Sequence, residues 1–206
     1  MKYNNNETKE LQQFITPIWY SNQPELLYLD SNCDKYIDES IAKHGRKFGI
    51  SNHSDSLTED KNFKPLTDLV GKMSIDFLDK QGFNMKKYTC MFTELWVQEF
   101  PKEGGGHHEP HCHYNQHVSG FYFLKCSDKT STPVFYDPRP GAIMTKLEEK
   151  DSNKLTSGVP HINYHPRPGD LVLFNSYLPH GFRVDSGEEN FRFIHFNLQA
   201  FPNQLF

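Results

Sequence analysis

The sequence predicts a mainly β protein, an all-β barrel or two-sheet jelly roll braced by helices, and three observations carry that prediction. From about Tyr88 onward, short apolar, aromatic and β-branched runs are separated by Pro, Gly and Asn. Before that point the pattern is helical, clearly so around Leu66–Leu78 and modestly so around Asp34–His44. The 206 residues contain no internal repeat, and no charge run or Ser/Pro-rich linker is long enough to divide them. One domain over 1–206 follows, with N-terminal helical support in 1–87 and a β core in 88–200.

The elements can be justified in order. The polar start around Asn4–Glu10 reads as frayed. A short strand is expected at Phe14–Tyr20, around Pro17. In the second helix Leu66, Leu69, Val70, Met73, Phe77 and Leu78 fall at helical spacing, with Pro65 at its start and Gly82 just past its end. Strands are then expected at Cys90–Phe100, His111–Tyr114, Val118–Cys126, Pro133–Tyr136, Val159–His165, Asp170–Asn175, His180–Val184 and Asn190–Ala200. The run Pro166-Arg-Pro-Gly-Asp170 between two of them is a turn signal.

Composition narrows the function. With 22 Lys+Arg against 26 Asp+Glu the net charge is −4, and no basic stripe is present, which argues against nucleic acid or an anionic membrane as partner. No apolar run approaches the roughly 18 residues of a spanning helix, and the start lacks the layout of a secretion signal. Four cysteines at scattered spacings, without a CxxC pair, fit reduced thiols, so a cytoplasmic location is expected. Eleven histidines are present, five of them between His107 and His117.

On an extended chain His111 and His113 point the same way and Cys112 the other, so two imidazoles can chelate one divalent cation. His180 opens a later strand of the same β region. Arg192, set in the apolar strand around Phe191, Phe193 and Ile194, needs an anionic partner. That partner is either an internal Asp or Glu, or a carboxylate-bearing ligand held by the guanidinium fork.

Taken together, these pieces resemble the Fe(II)- and 2-oxoglutarate-dependent oxygenases. The resemblance rests on Ile15-Thr-Pro-Ile-Trp19, Ser51-Asn52, His111-x-His113 with Ser119-Gly-Phe-Tyr-Phe-Leu124, and Phe135-Tyr-Asp-Pro-Arg139. It continues through Pro168-Gly-Asp-Leu-Val-Leu-Phe174, Leu178-x-His180 and Arg192-x4-Asn197. The pattern is most similar to the branch with HxH, SGxYYL, LxH and R motifs familiar from marine bacteria and their phages.

The resemblance implies a double-stranded β-helix, cupin-like, with Fe(II) at one mouth. It implies His111, His113 and His180 as metal ligands, Arg192 as the anchor of the distal carboxylate of 2-oxoglutarate, and Tyr122 as a further contact to that co-substrate. A core tyrosine with a backbone partner is the alternative for Tyr122. His113 stands where most such enzymes carry a carboxylate, and three neutral imidazoles would leave the full charge of the metal in place. A competing set, His107-x-Glu109, restores a carboxylate but follows three glycines, so the His111–His113 pair is preferred. His117 reads as surface, and His161, His165 and His195 as ordinary strand histidines. Arg139 either pairs with Asp137 or contacts substrate.

The implied activity is oxidation of an unidentified substrate, usually hydroxylation, coupled to conversion of 2-oxoglutarate and O₂ to succinate and CO₂. The alternatives are a three-histidine cupin-like metalloenzyme that does not use 2-oxoglutarate, and a non-catalytic β-barrel that binds a metal or ligand.

Overall fold

The computed structural model describes residues 12–45, 51–144, 147–151 and 153–203. The polar start expected to fray lies outside them. Among the described residues ten strands are present: β1 (Ile18–Asn22), β2 (Asn52–His53), β3 (Tyr88–Phe100), β4 (His108–His111), β5 (Val118–Lys125), β6 (Pro133–Tyr136), β7 (His161–Asn163), β8 (Asp170–Asn175), β9 (His180–Phe182) and β10 (Phe191–Pro202). Three α-helices accompany them: α1 (Asp30–His44), α2 (Lys64–Lys80) and the short α3 (Pro140–Met144). The strands form a six-stranded sheet, β1-β8-β5-β10-β3-β2, and a four-stranded sheet, β4-β9-β6-β7, with antiparallel pairing throughout. This is the expected two-sheet β-helix with N-terminal helical support.

Two of the expected strands are displaced. β4 begins and ends earlier than His111–Tyr114, so His113 lies in the loop after the strand. β1 is shifted toward Asn22, and helix α1 starts at Asp30, led in by a 3₁₀ turn over Pro24–Leu29. The turn before β8 forms as the sequence indicates. Gly169 adopts a φ of 88° that a side chain would resist, and the Asp170 amide closes the turn on the Arg167 carbonyl at 2.9 Å.

The central strands are buried on both faces, which is why β5 and β8 read as continuous apolar runs. Alternation assigns each residue to one side. Tyr122, Leu171 and Ile194 lie opposite one another in the ladder and face the helices, where Leu29, Ile37, Leu66, Val70 and Phe77 cover them. Phe121, Val172 and His195 form the next row and face the second sheet. There Phe100, Phe123, Phe135, Phe174, Phe182, Phe191 and Phe193 pack as an aromatic core.

Arg192 belongs to the helix side. It lies opposite Glu99 on β3 and Lys125 on β5. Its Nε donates to Glu99 Oε2 at 2.8 Å, and its terminal nitrogens reach Asp30 Oδ1 at 2.9 Å and Asp34 Oδ1 at 2.5 Å. Lys125 Nζ joins the cluster through Asp30 Oδ2 at 3.0 Å. The charged knot thus fastens the start of α1 to the sheet, and the Arg192 hydrogen bond holds the Asp34 carboxyl below its usual range.

Two outcomes are expected from this packing. Arg192→Met leaves Glu99 and Asp30 without their buried partner, which should cost on the order of 3–5 kcal/mol. Chemical denaturation would show the midpoint fall, and an unchanged midpoint would mean the knot contributes nothing. Gly120→Ala should also destabilise, because a Cβ there meets the Val172 carbonyl oxygen at 2.3 Å and the Phe196 ring at 2.4 Å. Overpacking of this kind costs about 1–3 kcal/mol or more, and native-like stability of the alanine variant would show that the sheet can open to accept it.

Candidate metal centre

The loop from β4 to β5 and the start of β9 bring His111, His113 and His180 together. One ring nitrogen from each lies within 4.8 Å of the other two. His111 and His180 are paired across the β4–β9 ladder, and their ring centroids are 4.6 Å apart. The His111 Nδ1–H donates to the Glu109 carbonyl at 2.7 Å and the His180 Nδ1–H to the Leu178 carbonyl at 2.9 Å. A carbonyl can only accept, so in both rings Nε2 is left with its lone pair. His113 turns its Nε2 to within 3.3 Å of His180 Nε2. Its backbone is fixed by the bond from its amide to the Ser176 carbonyl at 3.0 Å.

Burial keeps the His113 and His180 rings neutral. It pushes His113 down to about 4 and His180 to about 3, with neighbouring imidazoles adding to the effect. His180 is enclosed by Phe174, Phe121 and Phe135, with ring centroids at 4.6, 5.8 and 6.4 Å. Three converging nitrogens in a largely apolar wall suit a divalent cation, and the donor set fits Fe(II).

Three further groups stand beside this trio. His195, fully buried on β10, stacks against His113 at 5.1 Å and Trp96 at 4.5 Å between centroids. Asn197 on β10 lies opposite Glu94 on β3 and Ser119 on β5. Its Nδ2 is 3.1 Å from His113 Nδ1 and 3.1 Å from His195 Nε2, and it also donates to Glu94. His108 packs on His111 and bonds to Gln98, and burial lowers it to about 4. His195 is therefore not an ordinary strand histidine. Its parity with Phe191 and Phe193 is the sequence signal that places it inside.

Other expectations are corrected. Arg192 does not join the histidines: it lies on the opposite face of the same sheet, its fork occupied by Glu99, Asp30 and Asp34. Tyr122 also faces the helices and donates its hydroxyl to the Gln23 carbonyl at 2.8 Å, so it is the core tyrosine with a backbone partner. The residues foreseen for 2-oxoglutarate do not fit it, because each points away from the metal centre. His107 and Glu109 form only a surface pair at 3.6 Å, with Glu109 86% exposed. Arg139 grips Asp137 in the turn after β6. That pair borders a cavity of about 530 Å³ lined also by Ile18, Phe135, His161 and Leu178. His117 is exposed and accepts the Ala200 amide.

Comparisons with known proteins identify the family and the fold. A family model described as "Putative 2OG-Fe(II) oxygenase" matches residues 94–197, half of the chain. No curated protein matches by sequence. Among solved structures, AviO1 from Streptomyces viridochromogenes Tue57 is similar at TM-score 0.59 and 13% identity, over 89% of this chain and 90% of that one. A Pseudomonas putida prolyl-4-hydroxylase gives TM-score 0.58 and 13% identity, over 88% and 92%. HygX from Streptomyces hygroscopicus, solved with nickel and 2-oxoglutarate bound, gives 0.56 and 12%, over 91% and 83%. These structural likenesses establish the shared fold, and the match from Glu94 to Asn197 spans every histidine of the site. The chain belongs to the 2-oxoglutarate- and Fe(II)-dependent oxygenase family, oxidoreductases whose cofactor is Fe(II) and whose co-substrates are 2-oxoglutarate and O₂.

Proposed function

We propose that the protein is an Fe(II)- and 2-oxoglutarate-dependent dioxygenase, a hydroxylase of an unidentified substrate, with His111, His113 and His180 as its metal ligands. The observation that carries this reading is the convergence of three ring nitrogens, two of them fixed by Nδ1–H donation to carbonyls of their own strand ends. Bound there, Fe(II) supplies the centre at which O₂ reduction, 2-oxoglutarate decarboxylation and substrate oxidation are coupled. The chain's own contribution is to orient the imidazoles, to hold His113 and His180 neutral, and to exclude water from the His180 side with Phe121, Phe135 and Phe174.

A second reading is favoured by one specific observation. The guanidinium assigned by resemblance to the distal carboxylate is held by three carboxylates on the helix face. A three-histidine metalloenzyme that does not use 2-oxoglutarate accounts for that arrangement. Incubation of the Fe(II)-loaded protein with 2-oxoglutarate and O₂ separates the two: succinate formation supports the first reading, and metal binding without succinate supports the second.

Loss of one ligand of three should weaken the metal severely. His111→Ala and His180→Ala are each expected to lose the ion held by the three histidines, lowering metal content by about one equivalent relative to wild type as measured by dialysis and elemental analysis, whereas Glu109→Ala should leave it unchanged. Full metal content in either histidine variant would move the centre elsewhere.

Acid sensitivity follows from the buried neutral rings. His113 and His180 take up protons near pH 6.5 when unfolded but only near 4 and 3 when folded. Their contribution is therefore complete above about pH 6.5 and is lost as pH falls toward the folded values, at about 1.4 kcal/mol per pH unit for each ring. The denaturation midpoint of the metal-free protein should drop between pH 7.5 and 5, and a flat profile would contradict the assignment of neutral, buried rings.

A further inference from the structure

The row Glu94–Asn197–Ser119 across β3, β10 and β5 holds an arrangement that one hydrogen-bonding amide does not explain. Asn197 is fully buried, and its Nδ2 is ringed by Glu94, His113 Nδ1 and His195 Nε2. A carboxamide nitrogen carries two hydrogens, so three acceptors cannot all be served at once. Glu94 is half-buried, and its carboxylate faces two neutral imidazoles. Ligand atoms of Glu94, His113 and His195 lie within 4.8 Å of one another, as closely as those of the first trio.

We propose that Glu94, His113, His195 and Asn197 form a second divalent-cation site, which shares the His113 ring with the first. A half-turn of the Asn197 amide brings Oδ1 to the position of Nδ2 and completes a set of two nitrogens and two oxygens. The exchange leaves no orphan on the far side. Ser119 Oγ lies between Asn197 Oδ1 at 2.5 Å and Ser176 Oγ at 2.8 Å. A hydroxyl both donates and accepts, so after the half-turn it accepts from Nδ2 and donates to Ser176. His113 turns Nε2 toward His180 and Nδ1 toward this second set, so its ring would bridge two ions as an imidazolate, its remaining N–H proton passing to solvent when the second ion binds. The mixed carboxylate, amide and imidazole donors suit Zn(II), Mn(II) or Fe(II).

The proposal rests on His111, His113 and His180 binding the first ion, and the test separates the two claims. The intact protein is dialysed against Zn(II) and, separately, Mn(II), and metal per chain is measured in wild type, Glu94→Gln and His180→Ala. Gln at 94 still accepts a hydrogen bond from Asn197, so the fold should be kept, which circular dichroism checks. Two equivalents are expected in wild type, falling to one in Glu94→Gln. His180→Ala should lose the first ion and keep the second. One equivalent in wild type, unchanged in Glu94→Gln and lost in His180→Ala, would overturn the second site while leaving the first intact. One equivalent lost in Glu94→Gln but kept in His180→Ala would overturn the shared arrangement and, with it, the first ligand assignment.

Discussion

Everything in this molecule depends on the burial of β10 on both faces. It runs down the middle of the six-stranded sheet with β5 on one side and β3 on the other. One of its faces is closed by α1 and α2, the other by the four-stranded sheet. In such a strand each side chain is committed to one of two interiors, and water is available to neither. Ile194 and Phe196 supply the helix side, while Phe191 and Phe193 supply the aromatic core. His195 and Asn197 are the polar residues admitted to the inner row, and both stand beside the candidate metal centre.

The two faces solve their electrostatic problem in opposite ways. On the helix side a full positive charge is retained and surrounded by carboxylates, so Arg192 holds α1 down through ionic hydrogen bonds. On the inner side the imidazoles carry no charge: burial keeps His113, His180 and His195 unprotonated, leaving lone pairs in a largely apolar setting. A cation brought to that side meets prepared donors whose proton has already been excluded. The separation of the two regimes by a single sheet keeps the carboxylates of α1 from competing for the metal.

Much of this was legible in the sequence, and what was not has a physical reason. The strand runs and the α2 stripe follow from periodicity, because each is a local pattern tied to one element, whereas the set of His111, His113 and His180 rests on the family resemblance, since His180 lies 67 residues beyond His113. The partner of Arg192 was not legible, since Asp30 lies 162 residues away and only the tertiary fold brings it near. The facing of Arg192 was in principle readable. Phe191, Phe193, His195 and Asn197 share one parity, and Arg192 has the other. Aromatic residues on both faces hid the distinction, because β10 shows no polar-apolar alternation to break the tie. Glu94 was not legible because its place opposite Asn197 is set by the pairing of β3 with β10, a tertiary relation across 103 residues.

The register of β10 also bears on how this chain can change. No rotamer carries the side chain at 192 through the sheet, so that position can serve only the helices, whatever residue occupies it. A basic group inside the barrel is nevertheless a single substitution away, at Phe191 or Phe193, both fully enclosed in the aromatic core beside the histidines. Gaining or losing an acidic co-substrate's seat is thus decoupled from the anchorage of α1: a lineage could alter the contents of the barrel without loosening its scaffold.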